Sequence, residues 1–452
     1  MNLSLPNKWD LCTFDDVCTP TEQVIPKEDT EFFYIDISSV DRISKKIISP
    51  QRIIGKDAPS RARKLIKTGD VIVSMTRPNL NAVALVGSEY DGQIASTGFE
   101  ILRSNGVDPR WIGYLVRTNE FIDAMTSLVQ GALYPAIRSK DVRAHQIPVA
   151  PLAEQRRIAD KLDTTLARVD ALNDRLARIT PLLKRFRQSV LAAATSGRLT
   201  EDWRGTNSFT APWLSTEIQH VAKVGTGSTP LRSNPDFFAA KGTPWITSSA
   251  TSQAIIKAAD EYVTEAAINA HRLKIYPIET LLVAMYGEGK TRGQVSKLGI
   301  AATINQACAA IVVDKTKINN NFLKLSLQAN YLEMRVLAEG GNQPNLNLSK
   351  IKEFLVNLPS MEEQTEIVRR VETLFAFADR LEARLQSAQT AAERLTPALL
   401  AKAFRGELVP QDPSDEPATE LLRRLREARA AQAPTKPKRG RKAAAAGQVA
   451  GA

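Results

Sequence analysis

Two stretches of the chain carry apolar residues at helical spacing. Apolar side chains recur every three or four residues from Val169 to Val190, and again from Ile367 to Leu399. This spacing places them along one face of a helix, as in the seam of a coiled coil. Either each helix packs on its own domain, or the two pair and bury both apolar faces at once. We favour the second arrangement and predict two long helices paired as an antiparallel coiled coil.

The two stretches are copies of one another. Glu154-Gln155 recurs as Glu363-Gln364, and an offset of 209 residues then holds without a gap as far as Gly197 and Gly406. A match of this length indicates an internal duplication. Each copy begins just after a proline-containing strand end, and the two glycines are expected to cap the helices at their C-termini. The chain therefore consists of a head followed by a long helix, twice over.

A proline lies inside each predicted helix. Pro181 and Pro397 have no backbone N–H to donate, and an interior proline usually kinks a helix. We therefore expect bent helices rather than straight rods.

The heads are predicted to mix strands and helices. Runs such as DVIVSM, TLLVAMY and AAIVVD favour short strands, and Gly, Pro and Asn residues interrupt them. We predict an α+β fold for both heads. The predicted segments are a first head (1–150), a first long helix (151–200), a linker with the second head (201–357), a second long helix (358–409), and a linker, short helix and basic disordered tail (410–452).

Composition indicates a folded protein with a polyanionic partner. Hydrophobic residues make up 43% of the chain, and the 60 Lys and Arg residues outnumber 49 Asp and Glu, giving a net charge of +11. This excess favours nucleic acid as a partner. Three cysteines form no C-x-x-C pair and three histidines lie far apart, so we expect reduced thiols and no metal site. We find no apolar run of membrane-spanning length and no signal peptide, and expect a cytoplasmic protein without a membrane partner.

The helices are repeated closely, whereas the two heads differ strongly in sequence. This contrast is expected if a shared geometry presents two different recognition surfaces. Two similar units with antiparallel helices acquire an approximate two-fold axis, as in dimeric DNA-binding proteins that match the symmetry of the duplex. We predict that the heads bind two unlike half-sites in DNA, with the helices fixing the gap between them. The alternative is a two-headed coiled-coil adaptor that binds other proteins.

Several motifs resemble those of the specificity subunits of type I restriction-modification systems. The resemblance reaches from the first head to about Glu420 and is weaker in the first head. The motifs are Pro151, Glu154-Gln155 and residues 194–199, their copies Pro359, Glu363-Gln364 and residues 403–408, residues 225–230, 244–246, 285–287 and 305–307 of the second head, and residues 69–72 and 131–135 of the first.

The resemblance implies a fold and a function. The heads would be two target-recognition domains, and the chain a non-catalytic subunit that reads a bipartite, asymmetric DNA target with a fixed spacer. It would direct adenine methylation and ATP-dependent restriction by its partners, two methyltransferase subunits and the restriction subunits. S-adenosylmethionine, ATP and Mg²⁺ would be bound by those partners, and this chain would hold no cofactor.

Motifs for catalysis within the chain are absent or weak. A methyltransferase acting on an exocyclic amine should carry an N-P-P-[YF] tetrapeptide, which occurs nowhere in the sequence. Gly289-Lys290-Thr291 follows a predicted strand and could cradle phosphates, but Ala284 replaces the first glycine of that motif and a strand-like pattern follows. We therefore name no catalytic residue and no metal ligand, and a nucleotide-dependent enzyme is the least favoured hypothesis.

DNA contacts are expected from loops that present basic, amide or small hydroxyl side chains. The alternative for each such residue is an ordinary surface or turn position. The candidates are Arg61, Arg63, Lys64, Thr76, Arg77, Asn79, Arg138 and Lys140 in the first head, and Arg232, Tyr286, Lys290, Arg292, Asn305, Gln306, Asn342 and Gln343 in the second. The basic segment Pro437 to Lys442 resembles a hook for A·T-rich minor grooves, its alternative being a solvated chain end.

Overall fold

The computed structural model describes residues 5–129, 135–206, 212–286, 291–338 and 346–432. Its contacts divide the chain into two compact units. The first unit comprises residues 1–175 and 388–452, and the second comprises residues 176–387. Each unit holds one head and parts of both long helices, so this division passes through the helices that the sequence treats as separate segments.

The first head contains two four-stranded sheets. In one, Val71–Ser74 lies between Phe99–Ser104 and Val83–Leu85, and Cys18–Thr19 pairs with the far side of Phe99–Ser104, all antiparallel. Every residue of Val71–Ser74 is buried, as expected for an apolar strand with a neighbour on each side. The other sheet has the order Gln51–Ile54, Glu31–Ile35, Ile94–Ser96, Ala62–Leu65. The α-helices described in this head are Phe14–Val17, Pro109–Leu115, Asn119–Ser127 and Ser139–Arg143.

The second head also contains two larger sheets. The five-stranded sheet has the order Ala222–Thr226, Cys308–Val313, Leu281–Ala284, Val295–Leu298, Ile255–Ile256. The four-stranded sheet has the order Phe238–Ala239, Glu261–Val263, Thr243–Ile246, Thr303–Ile304. The α-helices described here are Ile218–Val221, Glu265–His271, Asn320–Ala329, Tyr331–Ala338 and Leu348–Lys352.

The two heads repeat one topology despite their different sequences. In each, an initial strand pairs antiparallel with the strand that precedes a long helix: Asp10–Thr13 with Gln146–Val149, and Leu214–Glu217 with Leu355–Leu358. In each, one sheet contains a buried strand, Val71–Ser74 or Leu281–Ala284, that pairs antiparallel with both of its neighbours. The second sheet of each head contains one parallel pair. The predicted α+β fold therefore occurs twice.

The long helices pair antiparallel within each unit. The first helix is Leu152–Thr195, and the second comprises Met361–Glu393 and Leu395–Phe404. In the first unit, Leu162 near the start of the first helix packs in one cluster with Leu400 near the end of the second. In the second unit, Leu183 packs with Ala378 and Leu385. The start of the first helix thus meets the end of the second in the first unit, and Val190 near its end packs in one cluster with Ile367 in the second unit, as the predicted antiparallel pairing requires.

The two prolines have different consequences. The first helix runs through Pro181 without a break. The second is interrupted at Arg394, whose N–H bonds to the carbonyl of Ala391 at 3.3 Å, and Pro397 lies in the first turn of the segment that follows. A proline is tolerated there because first-turn N–H groups have no intrahelical acceptor. Gly197 and Gly406 adopt the left-handed conformation (φ 76° and 73°), as expected for helix C-caps.

A buried glutamine at the start of each long helix binds the helix to its head. Gln155 donates to the carbonyl of Ala150 at 2.7 Å and accepts from the N–H of Asp108 at 3.0 Å. Asp108 caps the head helix Pro109–Leu115. The same two bonds recur in the second copy, from Gln364 to the carbonyl of Pro359 at 2.9 Å and from the N–H of the helix cap Asn319 at 2.7 Å.

The adjacent glutamates are buried too, but their surroundings differ. Glu154 accepts from the indole N–H of Trp9 at 3.0 Å, and its other oxygen, Oε1, is buried with no hydrogen-bond partner in the described structure. Glu363 accepts from the indole of Trp213 at 3.1 Å and also from the hydroxyl of Thr200 at 2.7 Å. Arg204 also forms an ion pair with Glu363.

The segment after the second long helix packs on the first head. The helix Ala418–Gln432 contributes Ala418, Leu421 and Leu422 to the apolar core that contains Phe14. The predicted short amphipathic helix is thus part of the first unit. The basic tail beyond it lies outside the described residues. Among the helices that the structure describes, none is both long enough and apolar enough to cross a membrane.

Candidate nucleic-acid interface

Candidates from three parts of the first head lie in one region. Met75, which follows the buried central strand, donates to the carbonyl of Gly98 at 2.9 Å and accepts from the N–H of Ile137 at 2.9 Å. Thr97, beside Gly98, donates to the carbonyl of Arg61 at 2.8 Å. These backbone bonds bring together three loops that we call the first-head loop cluster, residues 61–63, 76–79 and 138–140.

The second head brings its candidates together in the same way. Met285 follows the equivalent central strand, donates to the carbonyl of Ala307 at 2.8 Å and accepts from the N–H of Leu346 at 3.2 Å. The N–H of Gly293 bonds to the carbonyl of Ala284 at 2.9 Å, which places Arg292 beside the same strand end. Tyr286, Arg292, Asn305 and Gln306 therefore form a second-head loop cluster, which corresponds to the first in the fold although its side chains differ.

Most side chains of the first-head loop cluster are accessible. Arg61, Arg77, Asn79, Arg138 and Lys140 are exposed, and Arg63 and Thr76 are half-buried. Arg77 adopts the left-handed conformation (φ 48°), and its N–H bonds to the carbonyl of Pro135 at 2.8 Å, so the bend of its loop is fixed. Several cationic groups and one amide thus face solvent together, a combination suited to phosphates and base edges.

Lys64 is an exception among the first-head candidates. It is only 9% exposed, and its Nζ lies 3.0 Å from Oε2 of Glu100, which is itself 2% exposed. Glu100 also accepts from Ser139 at 2.7 Å and pairs with Arg143. If Lys64 left this network to contact DNA, a buried carboxylate would lose one of the two cations that neutralise it. We therefore exclude Lys64 from the DNA-contacting set, and assign it with Glu100 to holding the strand Ala62–Leu65 against the helix Ser139–Arg143.

The second-head candidates divide into accessible and structurally engaged residues. Tyr286 is 38% exposed and Gln306 is exposed, accepting a hydrogen bond from Thr229. Asn305 turns its side chain back onto the N–H of Ala307 at 3.1 Å. Arg232 forms a two-pronged ion pair with Glu261 at 2.7 and 2.9 Å.

Arg232 also packs its guanidinium 5.2 Å from the ring centres of both Phe238 and Trp245. An arginine held by a carboxylate and two rings is committed to its own domain. We leave Arg232 out of the DNA-contacting set for that reason.

Three candidates, Lys290, Asn342 and Gln343, lie outside the described residues, as does most of the glycine-lysine segment that suggested nucleotide binding. The chain that follows this segment is described, and it enters the strand Val295–Leu298 rather than a helix. This supports the prediction against a nucleotide-binding loop, which requires a helix N-terminus. Packing explains Gly227 in the motif of residues 225–230, because a Cβ at this position would lie 1.6 Å from the carbonyl oxygen of Ile304.

Burial leaves the three cysteines as protonated thiols and His145 as a neutral ring. Cys12, Cys18 and Cys308 are free and buried, and burial raises the pKa of each thiol to about 12, so all three are protonated at neutral pH. Burial lowers the pKa of His145, whose ring packs against Phe121 at 5.3 Å and is therefore neutral. The three thiols are free, as the sequence predicts, and they lie in the core, whereas His145 is half-buried.

The sequence model described as "Type I restriction modification DNA specificity domain" matches this chain twice, over residues 6–180 and 211–388. The two matches together cover well over half of the chain. The chain belongs to this family. Each match takes in one head and the helix that follows it, so the family domain corresponds to the repeated unit.

Known members of the specificity family are similar along nearly their whole length. The chain is 27% identical to the type I restriction enzyme StySPI specificity subunit of Salmonella potsdam, over 91% of this chain and 92% of that protein. It is also 27% identical to the EcoKI specificity subunit of Escherichia coli K12, over 94% and 97%. The HsdS subunit from Thermoanaerobacter tengcongensis superposes with a TM-score of 0.65 at 27% identity, over 89% and 98%.

A second solved structure, from work on complex assembly and conformational transition of the type I R-M system, superposes with a TM-score of 0.71 at 26% identity, over 89% of this chain and 99% of that one. These comparisons confirm the predicted family, the fold class and the role of a non-catalytic specificity subunit. They favour DNA specificity over the protein-binding adaptor.

The sequence reasoning missed one pair of structurally important residues. Glu154-Gln155 and its copy served only to align the repeat and to mark helix starts, yet all four side chains are buried and join head to helix. The available signal was the conservation of two polar residues between copies whose neighbours had changed. Identity of two polar residues between copies that have otherwise diverged is consistent with buried hydrogen bonds.

Proposed function

We propose that each head reads one half of a bipartite, asymmetric DNA target. One observation carries this proposal: the two heads share a topology and place their candidate loops at the same strand end, but fill those loops with different residues. Arg77 and Asn79 follow Met75 in the first head, whereas Tyr286 follows Met285 in the second. Two domains that share a fold but differ in their loop side chains are suited to binding two different half-sites.

The proposed DNA contacts are the accessible residues of the two loop clusters. Exposed Arg61, Arg77, Arg138 and Lys140 are suited to phosphates, and Asn79 to a base edge. In the second head the accessible residues are Tyr286 and Gln306, and we add Arg292 and Asn305, which are half-buried beside them. Lys290, Asn342 and Gln343 are added from the sequence alone.

The partners and cofactors belong to the same proposal. A methyl donor and ATP hydrolysis require sites that the sequence does not offer, so we assign S-adenosylmethionine to two methyltransferase subunits, and ATP and Mg²⁺ to restriction subunits. The solved structure from work on assembly of a type I R-M complex, which superposes well, supports such an assembly. We propose that the spacer in the target is fixed because the same two helices belong to both units.

A selection from random DNA tests the bipartite target. The chain, purified with its methyltransferase partners, is given a library of random duplexes, and methylated molecules are sequenced. We expect two short sequence blocks at one fixed separation. Asn79→Ala should relax one block and Gln306→Ala the other, since a good base contact contributes about 1–3 kcal/mol of discrimination.

Gln188→Ala, which removes an exposed amide from the first long helix, is the matched control and should change neither block. A single uninterrupted block, or two loop variants that relax the same block, would contradict the proposal. Absence of any enriched sequence from an active complex would favour the adaptor.

A further inference from the structure

The first unit contains a small cavity with an unusual concentration of positive charge. It holds about 110 Å³ and is lined by Lys45, by the strand Val83–Leu85, and by Tyr114 and Arg117 at the end of the helix Pro109–Leu115. Arg110 and Asp163 complete one side. The family role described above makes no use of this cavity.

Arg117 has no acceptor for its guanidinium among the described residues. Its Nε is buried and unbonded, and its guanidinium carbon lies 5.3 Å from the centroid of the Tyr114 ring. The nearby carboxylate of Asp163 is already taken, because it pairs with Arg110 at 2.7 Å and accepts from the hydroxyl of Tyr114. Asp170 acts on Arg117 only at longer range, without an ion pair within 4.0 Å.

Lys45 brings a second cation to the same cavity. Its Nζ donates to the carbonyl of Asn81 at 2.6 Å and to the Asn81 side chain at 2.8 Å, both uncharged acceptors. Burial, and then repulsion from Arg117, lower the pKa of Lys45 to about 8. Two partly buried cations therefore line one cavity, and neither forms an ion pair with a carboxylate of the described residues, although an anion bound there would stabilise both.

We propose that this cavity binds a phosphate group, and that in the DNA complex the group is a backbone phosphate. A tetrahedral oxyanion supplies the several acceptor oxygens that a guanidinium and an ammonium group together require. The inference rests on the proposed function, and adds to it a phosphate contact that the loop candidates did not include.

Two observations favour DNA as the source of the phosphate. Lys45 belongs to the hairpin of Val40–Asp41 and Lys46–Ile47, which also exposes Arg42 and Lys46, so the surroundings attract a polyanion. Asn81, which binds Lys45, lies two residues after Asn79 of the first-head loop cluster. The cavity thus adjoins the loop proposed to meet DNA.

No equivalent site occurs among the residues of the second head that the structure describes. Gln328 stands where Arg117 does, since each lies nine residues after the cap of its head helix, Asn319 or Asp108. The cavity beside Gln328 is lined by Arg187, which is neutralised by Asp379 at 2.6 Å and by Glu382 at 3.0 Å. The charge in the first head is therefore not a requirement of the shared fold.

The test compares Arg117→Gln, which installs the residue of the second head, with Arg384→Gln, which removes the same charge from an exposed position of the second long helix. Thermal unfolding of the full chain is measured in inorganic phosphate and in chloride at equal ionic strength. DNA binding is measured with random-sequence duplexes as a function of salt, because a phosphate contact is independent of sequence.

We expect phosphate to raise the melting temperature of the unaltered chain and of Arg384→Gln, but not of Arg117→Gln. The slope of log affinity against log salt should fall by about one for Arg117→Gln alone, which is the loss of one phosphate contact. No phosphate effect on the unaltered chain would overturn the site. Equal falls of the melting temperature in chloride for Arg117→Gln and Asp170→Asn would also overturn the site, because Asp170 would then be the ion-pair partner of Arg117.

Two further outcomes separate the possible occupants. A phosphate effect that depends on Arg117 with an unchanged salt slope would overturn DNA as the source and leave free phosphate. Loss of partner-subunit binding with an unchanged salt slope would overturn the proposal in favour of a carboxylate on a partner protein. Because inorganic phosphate needs no target sequence, failure of this site leaves the methylated motif intact, and failure of the bipartite-target function leaves phosphate binding measurable.

Discussion

The unequal surroundings of the two repeated glutamates predict a stabilising substitution. Thr200 donates to Oε1 of Glu363 at 2.7 Å, whereas Oε1 of Glu154 is buried without a partner in the described structure. The repeat offset of 209 residues places Val409 where Thr200 stands. Val409 packs against the cluster that contains Trp9, the other partner of Glu154. Val409→Thr should therefore supply the missing donor.

The magnitude follows from two opposing contributions. A hydrogen bond to a charged group contributes about 1.5–3 kcal/mol, and loss of one partly buried methyl costs about 0.8 kcal/mol. We expect Val409→Thr to raise the free energy of unfolding of the first unit by about 1 kcal/mol at neutral pH. The reciprocal change, Thr200→Val, should lower that of the second unit by a similar amount, because Arg204 still serves Glu363.

The gain should depend on pH in a defined direction. Burial raises the pKa of Glu154 in the folded chain. A carboxyl whose pKa is raised on folding contributes stability that is present below its unfolded pKa and is lost as pH rises through the folded pKa. A new donor to the carboxylate lowers the folded pKa, so Val409→Thr should differ little from the unaltered chain at acidic pH and reach its full gain above that window.

Urea denaturation at several pH values, followed by pulsed hydrogen exchange and mass spectrometry, measures the two units separately. Protection of residues 152–166 reports the first unit and protection of residues 361–375 reports the second. A Val409→Thr variant that is less stable than the unaltered chain at neutral pH, or whose stability difference is the same at every pH, would refute the reasoning.

Three further predictions concern the helices and the tail. Gln364→Leu leaves two buried backbone groups unbonded and should cost the second unit about 2–4 kcal/mol in urea denaturation, whereas the exposed control Gln188→Leu should cost nothing measurable. Leu183→Ala opens a cavity against Ala378 and Leu385 and should cost about 2–4 kcal/mol in the same assay; a loss under 1 kcal/mol would mean that this contact of the helix pair is loosely packed. Deleting residues 431–452 should flatten the salt dependence of DNA binding and leave the preferred site unchanged, and a changed site would show that the tail reads sequence.

The helices could be predicted from the sequence because their determinants are local and repeated. The apolar spacing around Leu183 and Leu385, the matched Glu-Gln pairs and the two capping glycines each have a direct structural counterpart. The sequence predicts a bend at Pro397, whereas the second helix is interrupted at Arg394, because the proline is accommodated in the first turn of a new segment. The first helix continues through Pro181, and no feature of the sequence predicts this difference between the two prolines.

The candidate interface could be predicted only in part, because its determinants are distant in sequence. In the sequence Lys64 resembles an ordinary surface lysine, because its partner Glu100 comes from a strand of the other sheet. In the sequence Arg232 resembles an ordinary loop arginine, because Glu261 and the two aromatic rings that contact it are distant along the chain. The correspondence of the two loop clusters was equally hidden, because the heads share strand order rather than residues. Arg117 was missed because an isolated arginine in a helical segment carries no local sign of a cavity.

The measurement that tests the bipartite-target function most directly is single-molecule sequencing of methylated adenines in genomic DNA. It is made on the native host and on a strain that lacks this gene, with expression of the chain and its methyltransferase partner verified in the host. We predict that one split motif, with two specific halves and a fixed spacer, is methylated in the host and unmethylated in the deletion strain. An unchanged set of methylated sites would contradict a role in DNA targeting.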